Sequence, residues 1–456
     1  MAAWICLATA PLAMAANAAT PLATGEQALS FEQASQRLLE VSDGIQAAEA
    51  NLAGKEDLAA ATRSLRLPDI TLDAREIKFQ KSLELSLGEL GTALEPLGIP
   101  PTLELDQRDW RFRPTVSMTM PVYTGGQIPA ARRAAAAGAR QADAERESET
   151  QDQLVALVQA YFGQQLAAHA LKVRRDVRDG LQRHLDDAGK LERAGMATRA
   201  QRLQATVARD QAQRELERAE RDLDTLTTTL SQLLRMSRTV LPTTPLAVSS
   251  HRIGDEADFR QAAADHHPTL AQLRAQVAQA EEGVKIQQAR LKPQVFLFGQ
   301  RDLKRSDALF TDADWVFGIG LKYTFMSASN RPLQISAARQ QYAQAEAGLR
   351  EAENRVAIGV TRAWNQLEAT REQFMLLDSS MDNARENLRL QELSFREGQA
   401  TSLDVIDGRL RLGNAAIERA QAAYQYDLAL AQLLEISGQM GRYADYLKHA
   451  DNLIPP

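Results

Sequence analysis

The sequence is poor in cysteine. Its one thiol, Cys6, falls in an N-terminal apolar run, so neither a disulfide framework nor a cysteine metal site is expected. Six histidines are present, His169, His184, His251, His266, His267 and His449, and none has a second ligand at metal-binding spacing. His266-His267-Pro268 reads as a helix start instead. Aromatics make up 5% of the chain, while Ala, Gln, Arg, Glu and Leu abound, a mix that favours long helices over a thick core. No run of 18 apolar residues occurs, so no transmembrane helix is expected. A net charge of -6 speaks against nucleic acid as a partner. No nucleophile motif, phosphate loop or paired-carboxylate context stands out. The chain is therefore read as a non-enzyme without a cofactor or a resident metal.

What is there is helix-forming sequence with few interruptions. Residues 1–18 read as a secretory signal peptide: Trp4 to Ala15 is apolar, and Ala13-Met14-Ala15 and Ala16-Asn17-Ala18 are small-x-small cleavage candidates. No Lys or Arg precedes that run, which departs from the usual signal. Ser30 can cap a helix running to about Leu67, where Pro68 ends it. The period then changes. Ile70, Leu72 and Ala74 alternate with Thr71 and Asp73, as in a strand. Residues 82–109, rich in Gly and Pro, read as a long loop with one helical turn near Leu83 to Leu94. Val116, Met118, Met120 and Val122 then alternate with Thr115, Ser117, Thr119 and Pro121, a second strand closed by Tyr123-Thr124-Gly125-Gly126. From Ile128 to Arg193 the only proline is Pro129, at a first-turn position. About 65 helical residues would span roughly 100 Å. After a break at Gly195 a second helix runs to about Met236, and Pro242 and Pro245 mark a linker to about Asp255.

The order then repeats. A helix from Pro268 ends at Lys292-Pro293, and a strand covers Gln294 to Arg301. After a loop over residues 302–312, Trp315, Phe317, Ile319, Leu321, Tyr323 and Phe325 alternate with Val316, Gly318, Gly320, Lys322 and Thr324. One face is large and apolar, the other small or polar. A helix of about 65 residues opens at Asn330 and Pro332 and ends at Glu397, giving again about 100 Å. A last helix carries Leu403, Ile406, Leu410, Gly413, Ile417, Ala420 and Tyr424 at 3-4 spacing. Residues 28–250 and 251–438 are thus two copies of helix, strand, strand, very long helix, tip, helix, and 439–456 are a polar tail. Leu230-Ser231-Gln232-Leu233-Leu234 and Leu430-Ala431-Gln432-Leu433-Leu434 mark equivalent points.

Four strands cannot close a barrel alone, and an open sheet leaves edge groups unpaired. Strands lying in a bilayer must close with strands of other chains, because lipid satisfies no backbone group. Strands of about ten residues suit a tilted barrel, and Trp315, Tyr323 and Phe325 suit an aromatic girdle. The alternative is a soluble periplasmic helical scaffold or adaptor with two small hairpins. Asp404 and Asp407 lie three apart on one helix face. They are either a solvated face near a helix start or, if copies converge on an axis, an acidic ring.

The duplicated unit, Tyr123-Thr124-Gly125-Gly126-Gln127 after a strand, and two tips with Gly-x-Ala-Thr resemble the outer-membrane efflux protein family, the TolC-like channels. The resemblance covers roughly residues 28–438. It implies a mainly α fold of long antiparallel hairpins forming an α-barrel. A homotrimer would close one 12-stranded β-barrel with four strands per chain, in the outer membrane of a Gram-negative bacterium. Loops 82–109 and 302–312 would face outwards, and the helices would extend into the periplasm. The implied role is the exit duct of a tripartite efflux or type I secretion system, working with a periplasmic adaptor (membrane fusion) protein and an inner-membrane transporter. By motif position, Gly195, Met196, Ala197, Thr198, Gly398, Gln399, Ala400 and Thr401 match the adaptor-docking tips, and Asp404 and Asp407 match the entrance constriction. The gate of the best-known member is tied by a tyrosine, an arginine and an aspartate. The matching positions here are Phe395, Ala400 and Gln201, so the same lock cannot form.

Overall fold

A computed structural model of the chain describes residues 25–89, 95–98, 100, 102–304 and 313–455. The signal-peptide reading and most of the second expected loop lie outside the described residues. In chain order the elements are β1 (Glu26–Leu29), α1 (Phe31–Val41), α2 (Asp43–Ala61), β2 (Asp69–Ser86), β3 (Thr102–Tyr123), α3 (Gln127–Arg193), α4 (Arg199–Leu233), β4 (Thr239–Pro242) and β5 (Leu246–Val248). There follow α5 (Glu256–His266), α6 (Pro268–Ala289), β6 (Gln294–Asp302), β7 (Trp315–Lys322), α7 (Arg331–Arg396), α8 (Ser402–Ile436), α9 (Tyr443–Lys448) and β8 (Asn452–Ile454). The order α2-β2-β3-α3-α4 recurs as α6-β6-β7-α7-α8. The two long helices have 67 and 66 residues and the two that follow them have 35 each, so the helices match in length while the strands do not: β2 and β3 have 18 and 22 residues, β6 and β7 have 9 and 8.

Packing divides the chain differently from its repeat. One unit takes residues 47–148 and 266–356; the other takes 1–46, 149–265 and 357–456. The first holds a four-stranded antiparallel sheet in the order β2-β3-β6-β7. Register sorts its side chains. Leu72, Val116, Arg301 and Trp315 share one row, and Ile70, Met118, Gly299 and Phe317 the next, all on one face. On that face Ile70, Leu72, Trp315, Phe317, Ile319 and Leu321 are exposed, Ile319 at 73%. The opposite face pairs Thr71 with Ser117 through their hydroxyls at 2.7 Å and lays Phe296 and Phe298 over Gly320 and Gly318. Among its helices, Arg133 and Lys285 both reach Glu282 at 2.8 Å, and Glu145 accepts from Asn51 and Gln272.

The first hairpin is longer than the sequence suggests. β2 has 18 residues and β3 has 22, paired without a break from Asp69–Thr119 to Ser86–Thr102. The expected loop over 82–109 shrinks accordingly, and Leu83 to Ser86 are strand rather than helix. Charged residues hid this: Arg75, Glu76, Lys78 and Arg108 break the apolar alternation, but a hairpin solvated on both faces needs only cross-strand pairing.

The other unit carries the buried core. Phe31, Tyr161, Phe162 and Tyr443 form an aromatic knot with ring centroids 5.1 to 6.3 Å apart. The Tyr161 hydroxyl donates to Leu29 O at 2.7 Å and accepts from the N–H groups of Thr243 and Thr244. Two expectations are corrected. The linker after Pro242 contains β5, and the tail from Gly438 is folded, with β8 pairing β5 and Tyr443 only 1% exposed. Both segments are too short for periodicity to show; each is ordered by a partner about 200 residues away. The first helix is likewise not continuous. It breaks at Ser42, whose hydroxyl accepts from Ile45 N at 3.4 Å.

Candidate functional site: the helical tips

Both long helices end in the same device. Gly195 and Gly398 have φ +74, the left-handed conformation that lets the chain turn out of a helix without a Cβ clash. The N–H of Met196 bonds back to Leu191 O at 2.8 Å, and that of Gln399 to Ser394 O at 2.8 Å. The next helices start with capping boxes. Thr198 accepts from Gln201 N while the Gln201 side chain accepts from Thr198 N at 2.7 Å. Thr401 accepts from Asp404 N while the Asp404 carboxylate accepts from Thr401 N at 2.8 Å and from its hydroxyl at 2.6 Å.

These contacts give the sequence-predicted residues specific places. Hydrogen bonds from Thr401, side chain first and then backbone, hold the exposed Asp404 carboxyl below the usual carboxylate range. Asp407 is also exposed but faces another partner, Arg411, at 2.6 Å. The two acids therefore share a helix start and no common partner. Gln201 is spent on its cap. Phe395 is 5% exposed and packs with Ala188, Ala205 and Val405, flanked by Ala400. Phe395 and Ala400 are brought together; the Gln201 side chain is held in its own turn. Met196 stands out at the first tip, 67% exposed.

The tie between the two hairpins is one that sequence reasoning missed. His184 of α3 and Ser402 of α8 are both buried, and their Nε2 and Oγ lie 2.7 Å apart. The Ser402 hydroxyl also lies 3.4 Å from the Gln201 carbonyl. The Phe395 ring covers His184 at 4.8 Å. Burial, and after it the Arg409 guanidinium, holds the imidazole below its ordinary value, so it is neutral around pH 7. Arg409 itself pairs with Glu392, and Arg202 pairs with Glu192 within the first hairpin. No local motif announces a contact 218 residues apart in the chain.

Beside the tips, α4 and α8 leave a groove of about 840 Å³ lined by Leu203, Val207, Ile406 and Leu410 among others. Leu203, Val207 and Leu403 remain exposed at its rim. Of the stripe expected on α8, Ile406, Gly413 and Ala420 are buried, while Leu403 and Leu410 stay at the surface. Among the described residues no cluster of His, Cys, Asp and Glu could hold a metal ion, and no helix is long and apolar enough to cross a membrane.

Three comparisons bear on this architecture. The chain is similar to the outer membrane efflux protein BepC of Brucella suis, 24% identical over 256 residues, which is 54% of each protein. The chain thus matches about half the length of that relative. It resembles the solved outer membrane protein VceC of Vibrio cholerae with a TM-score of 0.71 at 16% identity, over 90% of this chain and 96% of that one. It resembles the MtrE outer membrane channel of Neisseria gonorrhoeae with a TM-score of 0.69 at 16% identity, over 90% and 89%. At such identities these neighbours establish the fold. The family model for outer membrane efflux proteins matches residues 34–234 and 259–439, and the chain belongs to that family.

Proposed function

We propose that the protein is the passive outer-membrane exit duct of a tripartite efflux or type I secretion system. The observation that carries this reading is the sheet: four antiparallel strands, open at β2 and β7, with a large exposed apolar face. A soluble protein would cover that face. Three chains supply twelve strands, closing both edges and turning the apolar face to lipid. The long helices follow the strands directly in the chain, and their length, about 100 Å by rise per residue, suits a periplasmic tunnel. Residues 28–250 and 251–438 act as the two repeats.

At the periplasmic end, Gly195 to Thr198 and Gly398 to Thr401 meet the helical hairpins of an adaptor protein, which links the duct to an inner-membrane transporter. The exposed apolar rim of Leu203, Val207 and Leu403 supports this reading, since a partner helix would cover it. Asp404 and Asp407 line the entrance. With Phe395 buried and Gln201 in its cap, the two tips are tied by His184–Ser402 rather than by the family's lock, and Arg409–Glu392 braces the second hairpin alone.

Reconstitution into planar bilayers, with the mass measured in detergent, tests the duct. The expected results are defined conductance steps and a particle about three times the 50.2 kDa chain. A monomer recovered wholly in the soluble periplasmic fraction, without conductance, would favour the scaffold alternative. An Asp404→Ala, Asp407→Ala variant is expected to change single-channel conductance; an unchanged value would remove these residues from the entrance.

A further inference from the structure

A cationic pocket at the foot of the sheet is left unused by the tips and by the barrel wall. Arg290 and Lys292 follow α6, Lys322 ends β7 and Arg331 opens α7; together with Thr324 and Ser329 they line a cavity of about 230 Å³. No carboxylate lines it. Elsewhere in the same unit, Arg133 and Lys285 rest on Glu282. Here Arg331 donates to two backbone carbonyls, Arg290 O at 2.8 Å and Thr324 O at 3.4 Å, which fix its guanidinium without neutralising it. Among the described residues none of the four cations pairs with an acid. Like charges gathered this way repel each other, so the pocket is arranged for a counter-charge from outside.

Strand register says which way the pocket opens. Lys322 pairs with Gln294, in line with Phe296–Gly320 and Phe298–Gly318 on the polar face, whereas Leu321 and Ile319 lie on the apolar face. In the duct proposed above, on which this inference rests, the polar face is the bore. We propose that the pocket is an oxyanion site in the bore, taking small solutes that carry a phosphate or carboxylate group. A guanidinium fork and two hydroxyls supply directional donors for such a group, and the lysines supply charge. The volume lies below that of a drug-sized pocket, so the site holds the anionic group and not a whole large cargo molecule. Each chain carries all the lining residues, and a trimer holds three copies of the site.

Two measurements test it on the full-length protein. In bilayers of neutral phosphatidylcholine under a KCl gradient, the reversal potential gives the chloride-to-potassium permeability ratio, to which the acidic entrance contributes equally in the unmodified protein and in a variant of the pocket. A Lys292→Glu, Lys322→Glu variant is expected to shift the chloride-to-potassium permeability ratio towards potassium by about tenfold. An unchanged ratio at normal conductance would overturn the proposal. In detergent at low salt, calorimetric titration with inorganic phosphate is expected to show saturable binding, weakened about tenfold in a Lys292→Gln, Lys322→Gln variant. Absence of phosphate binding to the unmodified protein would also overturn it. Both side chains are exposed, and an unchanged thermal transition verifies that the variants fold. Phosphate binding without conductance would reject the duct and keep the site. Conductance without phosphate binding, and with a permeability ratio unchanged in the charge-reversed variant, would reject the site and keep the duct.

Discussion

Ser402 and His184 show how much a single buried contact decides. Each side chain is more than nine-tenths buried, and each is the other's polar partner across two hairpins. Removing the hydroxyl leaves a buried ring nitrogen unpaired, at a cost of about 1–3 kcal/mol. Ser402→Ala is therefore expected to lower the unfolding free energy by about that amount in a denaturant titration. The imidazole also sets a pH dependence. Its folded value lies below the ordinary 6.5, so its contribution is intact above 6.5 and is lost as pH falls from there through the folded value. Glu435 acts with the opposite sign. Burial, with Asp152 beside it, pushes its carboxyl up from 4.5 to about 7. Its contribution is full below 4.5 and is lost as pH rises through about 7. Thermal transitions of Glu435→Gln across this range are expected to lose that decline, while those of His184→Gln lose the acidic one.

Elements were the most legible scale. α3, α7, α4 and α8 are written in uninterrupted helix formers, stopped by glycine and restarted by threonine, so their ends follow from local chemistry alone. Gly398 requires a positive φ, and a β-branched residue there costs about 1–2 kcal/mol. Gly398→Val is expected to lower the melting temperature and to expose the tip to limited proteolysis between residues 394 and 404. Thr198→Ala, which removes the first capping box, is expected to cost about 0.5–2 kcal/mol. The short elements were not legible. β4, β5 and β8 have three or four residues each, below any period, and exist because β1, β5 and β8 find distant partners. The length of the first hairpin was hidden for the complementary reason: its upper part is charged, and pairing with the neighbouring strand alone defines it.

For the whole molecule the sheet face is the deciding surface. Ile319 sits on the apolar face, and arginine there would meet lipid in the proposed barrel, at about 2–4 kcal/mol per site. Ile319→Arg is expected to abolish the detergent-stable trimer and to reduce recovery in the outer-membrane fraction. Gln300→Arg, on the polar face, is expected to leave both intact. Equal effects of the two variants would show that the face does not meet lipid.

The sequence alone determined the period of each long element, the places where helices stop, and which strand face is apolar, because these depend on neighbours within a few residues. Those features also carried the family resemblance. Only the tertiary structure decided which tip residues meet at a distance: His184 meets Ser402, and Phe395 packs on Ala188, Ala205 and Val405. It also gathered Arg290, Lys292, Lys322 and Arg331, each unremarked in sequence, into one pocket. Such contacts join residues tens to hundreds of positions apart. Their strength comes from burial and geometry, which no local pattern of residue types encodes.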